Sequence, residues 1–408
     1  MTTPPSALMS ASRTKVLGAA LIAIGPVTMA LYTPAMPELA LDLGTSESLV
    51  KLTLTTYFLG FALAQLLCGP LTDAFGRRPV TLAFLGLYLV STIAATLATD
   101  VHLMMVARAI QGIGAAVGIT VSRAIVRDQY VGHQAATIMN AISTMLAVGP
   151  AVSPTLGGFI LELFGWREIF YAMLIYGIVL FAAVWLFQPE TNAYRSRDNI
   201  NFSRLVFNYT RLLKSVRFLR PSLLLMFSLG TIYASTTILP FVLIHNAGLT
   251  ASQFGLGMLM QTGGFFTGTL VTGHLLKKLD AEAAIPIGLT GITLSAMLMA
   301  VILRIHEPTY LAVMVPMGIF AFSVAFVIPS TFTTALRDFP EIAGAASAML
   351  GFLQFGGGIL GSAASAALGN PLLALTTVIP IMNITGVIAY VGIGLYLRNK
   401  PLVPEEIS

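Results

Sequence analysis

Twelve apolar runs punctuate the chain, at about 17–37, 48–70, 79–98, 102–122, 135–161, 167–187, 221–243, 251–274, 284–303, 309–332, 343–368 and 372–397. Roughly 20 apolar residues are what a helix needs to cross the hydrocarbon core of a bilayer. No run alternates with the two-residue period of a membrane barrel strand. Composition agrees: 56% of residues are hydrophobic and 10% charged, against about 25% charged in an average soluble domain. Such a surface faces lipid, so the sequence predicts an all-α membrane protein with twelve transmembrane helices. An early cleaved signal segment is the competing reading of the first run. That run continues to Pro37 without a small-x-small cleavage site, which disfavours it.

The connectors after spans one, three, seven, nine and eleven are short and poor in Lys and Arg. Both termini and the connectors after even-numbered spans hold every basic residue except Lys51, Arg108, Arg167 and Arg304. The positive-inside rule then places both termini in the cytoplasm and requires an even number of spans. One long polar connector, 189–220, carries a basic surplus that matches the formal charge of +5. It lies beside a membrane on the side where basic residues gather, which favours a linker resting near anionic lipid over a nucleic-acid site. The predicted organisation is a six-helix bundle over 1–188, a cytoplasmic basic linker over 189–220, and a second six-helix bundle over 221–408. A weak repeat supports it. Gly69-Pro-Leu-Thr-Asp73-Ala-Phe-Gly76-Arg77-Arg78 after span two parallels Gly273-His-Leu-Leu-Lys277-Lys278-Leu-Asp280 after span eight. Two halves of this kind place a substrate site between them near the midplane.

The run Gly69-x-Leu71-x-Asp73-x-x-Gly76-Arg77-Arg78 resembles the signature loop of the major facilitator superfamily. Gly69 and Gly76 suit close helix approach and a tight turn. Asp73 can accept from a helix N-terminus, and Arg77 and Arg78 can pair with it or with Asp128, beside which Arg127 stands at the same face. Arg108-x-x-Gln111-Gly112-x-Gly114-Ala115-Ala116 on span four is similar to the family's fourth-helix pattern. Gly149-Pro150-x-x-x-Pro154-x-x-Gly157-Gly158 on span five resembles the pattern of its exporting branches. Two prolines there predict a bent, glycine-lined helix. Tyr32-Thr-Pro34-Ala-Met-Pro37, Arg123-Ala-Ile-Val-Arg127-Asp128 and Gly165-Trp166-Arg167 narrow the likeness to the Bcr/CflA-type drug:proton antiporters, the bicyclomycin and chloramphenicol resistance group. The resemblance implies two pseudo-symmetric six-helix bundles in a bacterial inner membrane, export of small, partly apolar compounds, and exchange for protons. It implies no cofactor and a monomer.

One departure stands out. Relatives of this type commonly place an aspartate two residues before the first-helix tyrosine, and here that position is Ala30. No carboxylate sits near the middle of a predicted span. Glu38, at the outer end of span one, is the nearest acid on the same helix. Proton coupling calls for a titratable group that is alternately exposed. Arg108 is the one ionisable side chain clearly inside a span, roughly 9 Å deep at ~1.5 Å per residue. A guanidinium there costs up to about 2.5–3.5 kcal/mol. Two roles stay open: contact with substrate or a proton site in a wet cavity, or a structural arginine bonded to neighbouring carbonyls. A pairing with Glu38 is possible only near the outer face. Tyr57 and Gln65 are further polar or aromatic intramembrane residues. Tyr32, Gln111, Asn140, Tyr233, Gln261 and Gln354 lie on the spans that the resemblance implies line the cavity. The 18 Met and 24 Phe suit an adaptable apolar pocket.

His102, His133, His245, His274 and His306 are scattered singly and Cys68 is the lone cysteine, so no metal site or internal disulfide is predicted. The spans hold no cluster fit for catalysis, and no Gly-x-x-x-x-Gly-Lys-[Ser/Thr] loop for ATP occurs. An enzyme, a receptor and an ATP-driven pump are all disfavoured. Facilitated or proton-coupled uptake of a small nutrient on the same fold remains the alternative to export.

Overall fold

A computed structural model describes residues 8–193, 195, 202–276 and 281–399, and among them no strand occurs. The chain runs as helices α1 (Ala11–Tyr32), α2 (Met36–Asp42), α3 (Glu47–Phe75), α4 (Arg77–Thr96), α5 (Val101–Gln129), α6 (Gly132–Phe164) and α7 (Trp166–Phe187). A linker helix α8 (Phe202–Lys214) follows, then α9 (Val216–Pro240), α10 (Ala251–Gly257), α11 (Leu259–Leu275), α12 (Ala281–Ile305), α13 (Tyr310–Arg337), α14 (Ala343–Leu368) and α15 (Pro371–Asn399). A short 3-10 turn (Thr33–Ala35) joins α1 and α2 into one span, and a π-helical turn (Phe241–Asn246) extends α9. Eleven of these units are long and apolar enough to cross a membrane. Predicted span eight is broken at Met258, and its physical cause is tertiary. The Thr155 hydroxyl donates to the Gly255 carbonyl and the Tyr310 hydroxyl to the Gly257 carbonyl, each at 3.0 Å. In an unbroken helix those carbonyls serve residues 259 and 261.

The helix ends show why the chain turns where it does. Ser10, Ser46 and Thr309 side chains accept from N–H groups in the first turns of α1, α3 and α13, and Thr250 and Gln253 form a capping box on α10. Between α3 and α4, Gly76 adopts φ +104°, a region that favours glycine. The α6 helix stays continuous through Pro150 and Pro154. One apolar core is drawn mainly from α1–α7 and a second from α9–α15. The two groups meet along α3 against α14 and α6 against α10. The predicted linker is partly helical. Tyr209 of α8 donates to the Leu66 carbonyl at 2.7 Å, and Arg211 pairs with Glu341 at 3.1 Å. Lys277, Lys278 and Asp280 of the weak repeat lie outside the described residues. Helix ends near the linker define the linker face; the opposite ends define the far face.

Candidate functional site

A cavity of about 870 Å³ opens on the linker face between α3, α5, α6, α8 and α14. Gln65 and Gly69 of α3, Arg123 of α5, Tyr209 of α8 and Ser347 of α14 are among its lining residues. Gln65, the lining residue of α3 deepest from that face, donates to the Ala116 carbonyl at 3.1 Å. Beyond it the seam is plugged by aromatic rings from both groups of spans. Phe61 and Phe355 centroids lie 4.3 Å apart, Tyr233 stacks on Phe355 at 4.7 Å, and Phe58 meets Tyr233 at 5.6 Å. Such pairs contribute about 0.5–1.5 kcal/mol each beyond area burial.

Past the plug the two groups touch by backbone. A Cβ on Gly158 of α6 would stand 2.8 Å from the Ala251 carbonyl carbon of α10, and one on Gly255 would stand 2.6 Å from the Thr155 Cα. Small residues on both sides permit that approach. The fifth-helix pattern thus faces two ways: Gly149 and Gly157 abut Val27 and Pro34 of the first span, while Gly158 and Pro154 abut α10. Polar stitches reinforce the closure. The Thr55 and Ser362 hydroxyls are 2.5 Å apart, and Glu162 Oε1 accepts from the Ser252 N–H at 2.8 Å. Gly165-Trp166-Arg167 fastens the first span to α7, with Trp166 Nε1 and Arg167 Nη1 donating to Asp42 Oδ2 at 2.8 and 3.2 Å.

At the linker face Arg77, nearly buried, pairs with Asp73, reaches Asp128 at 3.1 Å and donates to the Thr72 hydroxyl at 2.8 Å. Thr191 donates to the same Asp128 oxygen at 3.0 Å. Glu190, which no sequence pattern singled out, accepts from the Arg77 and Arg78 N–H groups at 2.9 and 3.2 Å. It therefore satisfies the free end of α4. Arg78 Nη2 donates to the Trp185 carbonyl at 2.6 Å. Arg127 is exposed at the cavity mouth and makes no ion pair among the described residues. Gly69 departs from its expected role: a Cβ there meets nothing within 4 Å, because the residue borders the open cavity rather than another helix.

Arg108 is fully buried in the core of α1–α7, not in the cavity. Its Nη1 donates to Gln111 Oε1 at 2.5 Å, and the guanidinium lies 4.5 Å from the centres of both Tyr32 and Tyr57. Gln111 in turn donates to the Thr92 hydroxyl at 2.8 Å. Two ring faces compensate a desolvated cation by about 2 kcal/mol or more. Its Nε and Nη2 have no acceptor. Neither the wet-cavity contact nor the carbonyl-bonded arginine describes this arrangement, since its acceptor is a side chain of its own helix. Glu38 is exposed at the far face and does not meet Arg108; it lines a small pocket with Glu162 and Thr250. Asn140 is exposed on α6 and lines neither cavity. Gln261 and Gln354 are buried, with Oε1 of one and Nε2 of the other unpartnered.

Comparison with known proteins fits this architecture. A chloramphenicol resistance protein of Pseudomonas aeruginosa is 30% identical over 90% of this chain and 86% of its own. A bicyclomycin resistance protein homologue of Haemophilus influenzae is 28% identical over 83% and 85%. An uncharacterised transporter of Bacillus subtilis is 30% identical over 90% of each chain. Among solved structures, a D-xylose–proton symporter superposes with a TM-score of 0.72 at 15% identity, covering 94% of this chain and 97% of its own. The sequence profile of the Major Facilitator Superfamily matches residues 18–362. The chain is a multi-pass membrane transporter, not an enzyme, and it belongs to the Major Facilitator Superfamily, on the branch of the bicyclomycin and chloramphenicol resistance proteins.

Proposed function

We propose that the protein exports small, partly apolar compounds across a bacterial inner membrane in exchange for protons, by alternating access. The observation that carries this reading is the cavity: it opens on one face, ends under an aromatic plug, and is sealed from the other face by glycine-to-backbone contact. A sealed face opposite an open one is one state of a rocking cycle. The moving bodies are 1–188 and 221–408, joined by 189–220. With both termini cytoplasmic, the linker face is the cytoplasmic one and the cavity takes its substrate from inside. Reporter fusions at Leu43, Asp100 and Asn246 should report outside, and fusions at Asn192 and the C-terminus inside. A reversed pair breaks the orientation.

Relatives named for drug resistance support the export direction. Ala30 in place of an acid supports a second reading, facilitated or proton-coupled uptake of a small nutrient on the same fold. Proteoliposomes with an imposed proton gradient separate the two, with chloramphenicol, bicyclomycin and D-xylose as probes. Antiport gives uphill movement of a drug against the proton flux. Sugar uptake along with protons, or flux indifferent to the gradient, selects the second reading.

A further inference from the structure

Among the described residues, one ion pair joins the spans before the linker to those after it: Glu47 Oε1 and His245 Nδ1, 2.8 Å apart at the far face. Glu47 opens α3, and His245 sits in the π-helical turn that ends α9. One turn deeper on α3 lies Lys51. It is 0% exposed, its Nζ has no hydrogen-bond partner, and it stands 5.0 Å from the centre of the Phe241 ring. The same ring meets the His245 imidazole edge-on at 6.1 Å.

Glu47 and Lys51 are four residues apart with the glutamate first, the better order for an ion pair along one helix. In this closed state Glu47 reaches across the seam instead, and Lys51 is left to a ring face. That choice depends on the imidazole. Protonated, it attracts the carboxylate and donates to it with charge; neutral, it offers a hydrogen bond of roughly half the strength. A buried ammonium without an acceptor then becomes the stronger claimant.

We propose that Glu47, Lys51 and His245 form a proton-binding site in the far-face seam, in which a proton on His245 draws Glu47 across and holds that face closed. Loss of the proton returns Glu47 to Lys51 and frees the seam. Of the other charged groups near this turn, Asp42 of α2 is paired with Arg167, and Glu38 of α2 and Glu162 of α6 line a pocket with Ile244 and Thr250. Both favour the imidazolium, and Glu162 is already held by the Ser252 N–H. The helices α10 and α15, which also pack on the turn, present no charged side chain there. His245 is partly exposed, so its proton comes from and returns to far-face solvent. The proton is bound and released without crossing the membrane. Resting on the exchange reading, the site ties the return of the empty transporter to external acidity.

The test uses the full chain in nanodiscs, with Cys68→Ala and spin labels at Thr99→Cys and Glu307→Cys, exposed far-face positions on either side of the seam. Their distance distribution reports closure. From pH 5.5 to pH 8 the closed-to-open ratio should fall by on the order of tenfold. His245→Gln and Glu47→Gln should each remove that response. Lys51→Met, which takes away the competing partner, should raise the closed fraction at pH 8 several-fold. A His245→Gln chain that keeps the parent's response overturns the site, as does a parent that does not respond. Drug-induced proton movement in vesicles, with chloramphenicol and bicyclomycin as probes, is measured on the same chains. A parent that closes with acid but moves no protons removes the exchange reading and leaves the site. A parent that moves protons while His245→Gln still closes with acid removes the site and leaves the exchange.

Discussion

At the linker face, Arg77 gathers Asp73, Asp128 and Thr72 while Glu190 caps the start of α4, so charges hold the first six spans and the linker's beginning together. At the far face, Gly158 and Gly255 bring α6 and α10 to backbone contact, and few charges are involved. Charged networks span several ångströms and re-form with little loss of geometry; glycine contacts vanish once the helices part by the width of a methyl group. On the alternating-access reading proposed above, the far face would act as a two-position seal, and the linker-face network would keep one body rigid while that seal makes and breaks. A structure with a network inside one body and a steric seam between bodies is suited to rocking.

The sharpest way to break this contrast is Gly158→Ala. The new methyl would meet the Ala251 carbonyl and Ser252 Cα, backbone atoms that cannot rotate aside. Overpacking of this kind costs about 1–3 kcal/mol, which lowers the closed fraction by roughly 5- to 150-fold. Spin labels at positions 99 and 307 should show the far face open, and export should fall by a similar factor. If the closed fraction is unchanged, the seal is elsewhere. Arg77→Ala comes next. It removes the guanidinium that Asp73 and Asp128 share, an effect of about 2–3 kcal/mol once the partial exposure of Asp73 is allowed for. A thermal melt in detergent should show the loss, and turnover should drop several-fold while far-face closure at fixed pH stays near the parent's. A shift in closure instead would mean that the network senses both bodies.

Glu190→Gln is a smaller perturbation on the same face. The amide keeps one oxygen for the Arg77 and Arg78 N–H groups and loses the charge opposite the α4 dipole and Arg195. A loss of about 1 kcal/mol is expected, visible as a small drop in melting temperature with export nearly intact. A loss as large as that of Arg77→Ala would make Glu190, rather than the acids of the signature loop, the centre of the network.

Much of this contrast was legible in the sequence, and the rest was not for identifiable reasons. Hydropathy located eleven spans to within several residues, because lipid solvation is a local property of each run. The pairing of Arg77 with Asp73 and Asp128 was readable, since the residues share one face and opposite charge. The break at Met258 was not, because its cause is two hydroxyls, Thr155 and Tyr310, 100 and 53 residues from the carbonyls they reach. Asn140 looked like a cavity residue from its span alone, but helix rotation turned it away from both described cavities, and no periodic signal in an apolar helix fixes rotation. Arg108 was recognised as costly, and Gln111 stands one turn on in the same helix, yet its two tyrosine partners come from α1 and α3, which only tertiary packing brings to it. Glu47, Lys51 and His245 left no motif at all. A glutamate and a lysine in one helix and a histidine about 200 residues later become a site only across the seam.

The gentlest test concerns Gly69, the first glycine of the signature loop. Two accounts give it different duties. If it serves close helix approach in the state seen here, a methyl would clash; yet none of its surroundings lies within 4 Å of a Cβ. Gly69→Ala should therefore leave melting temperature and far-face closure within about 0.5 kcal/mol of the parent, and a helical alanine even favours the fold slightly. Gly69 borders the cavity on α3, however, and the spans that line an open cavity are those that must meet when it closes. If its partner helix arrives only in the opposite state, Gly69→Ala will slow turnover with no change in stability or in the resting closed fraction. Melting, closure and transport measured on this one variant separate the possibilities. Unchanged transport makes the glycine a bystander in both states, and a lowered melting temperature means that the present state already packs against it. Slowed transport alone would place its contact in the half of the cycle where the linker face is shut.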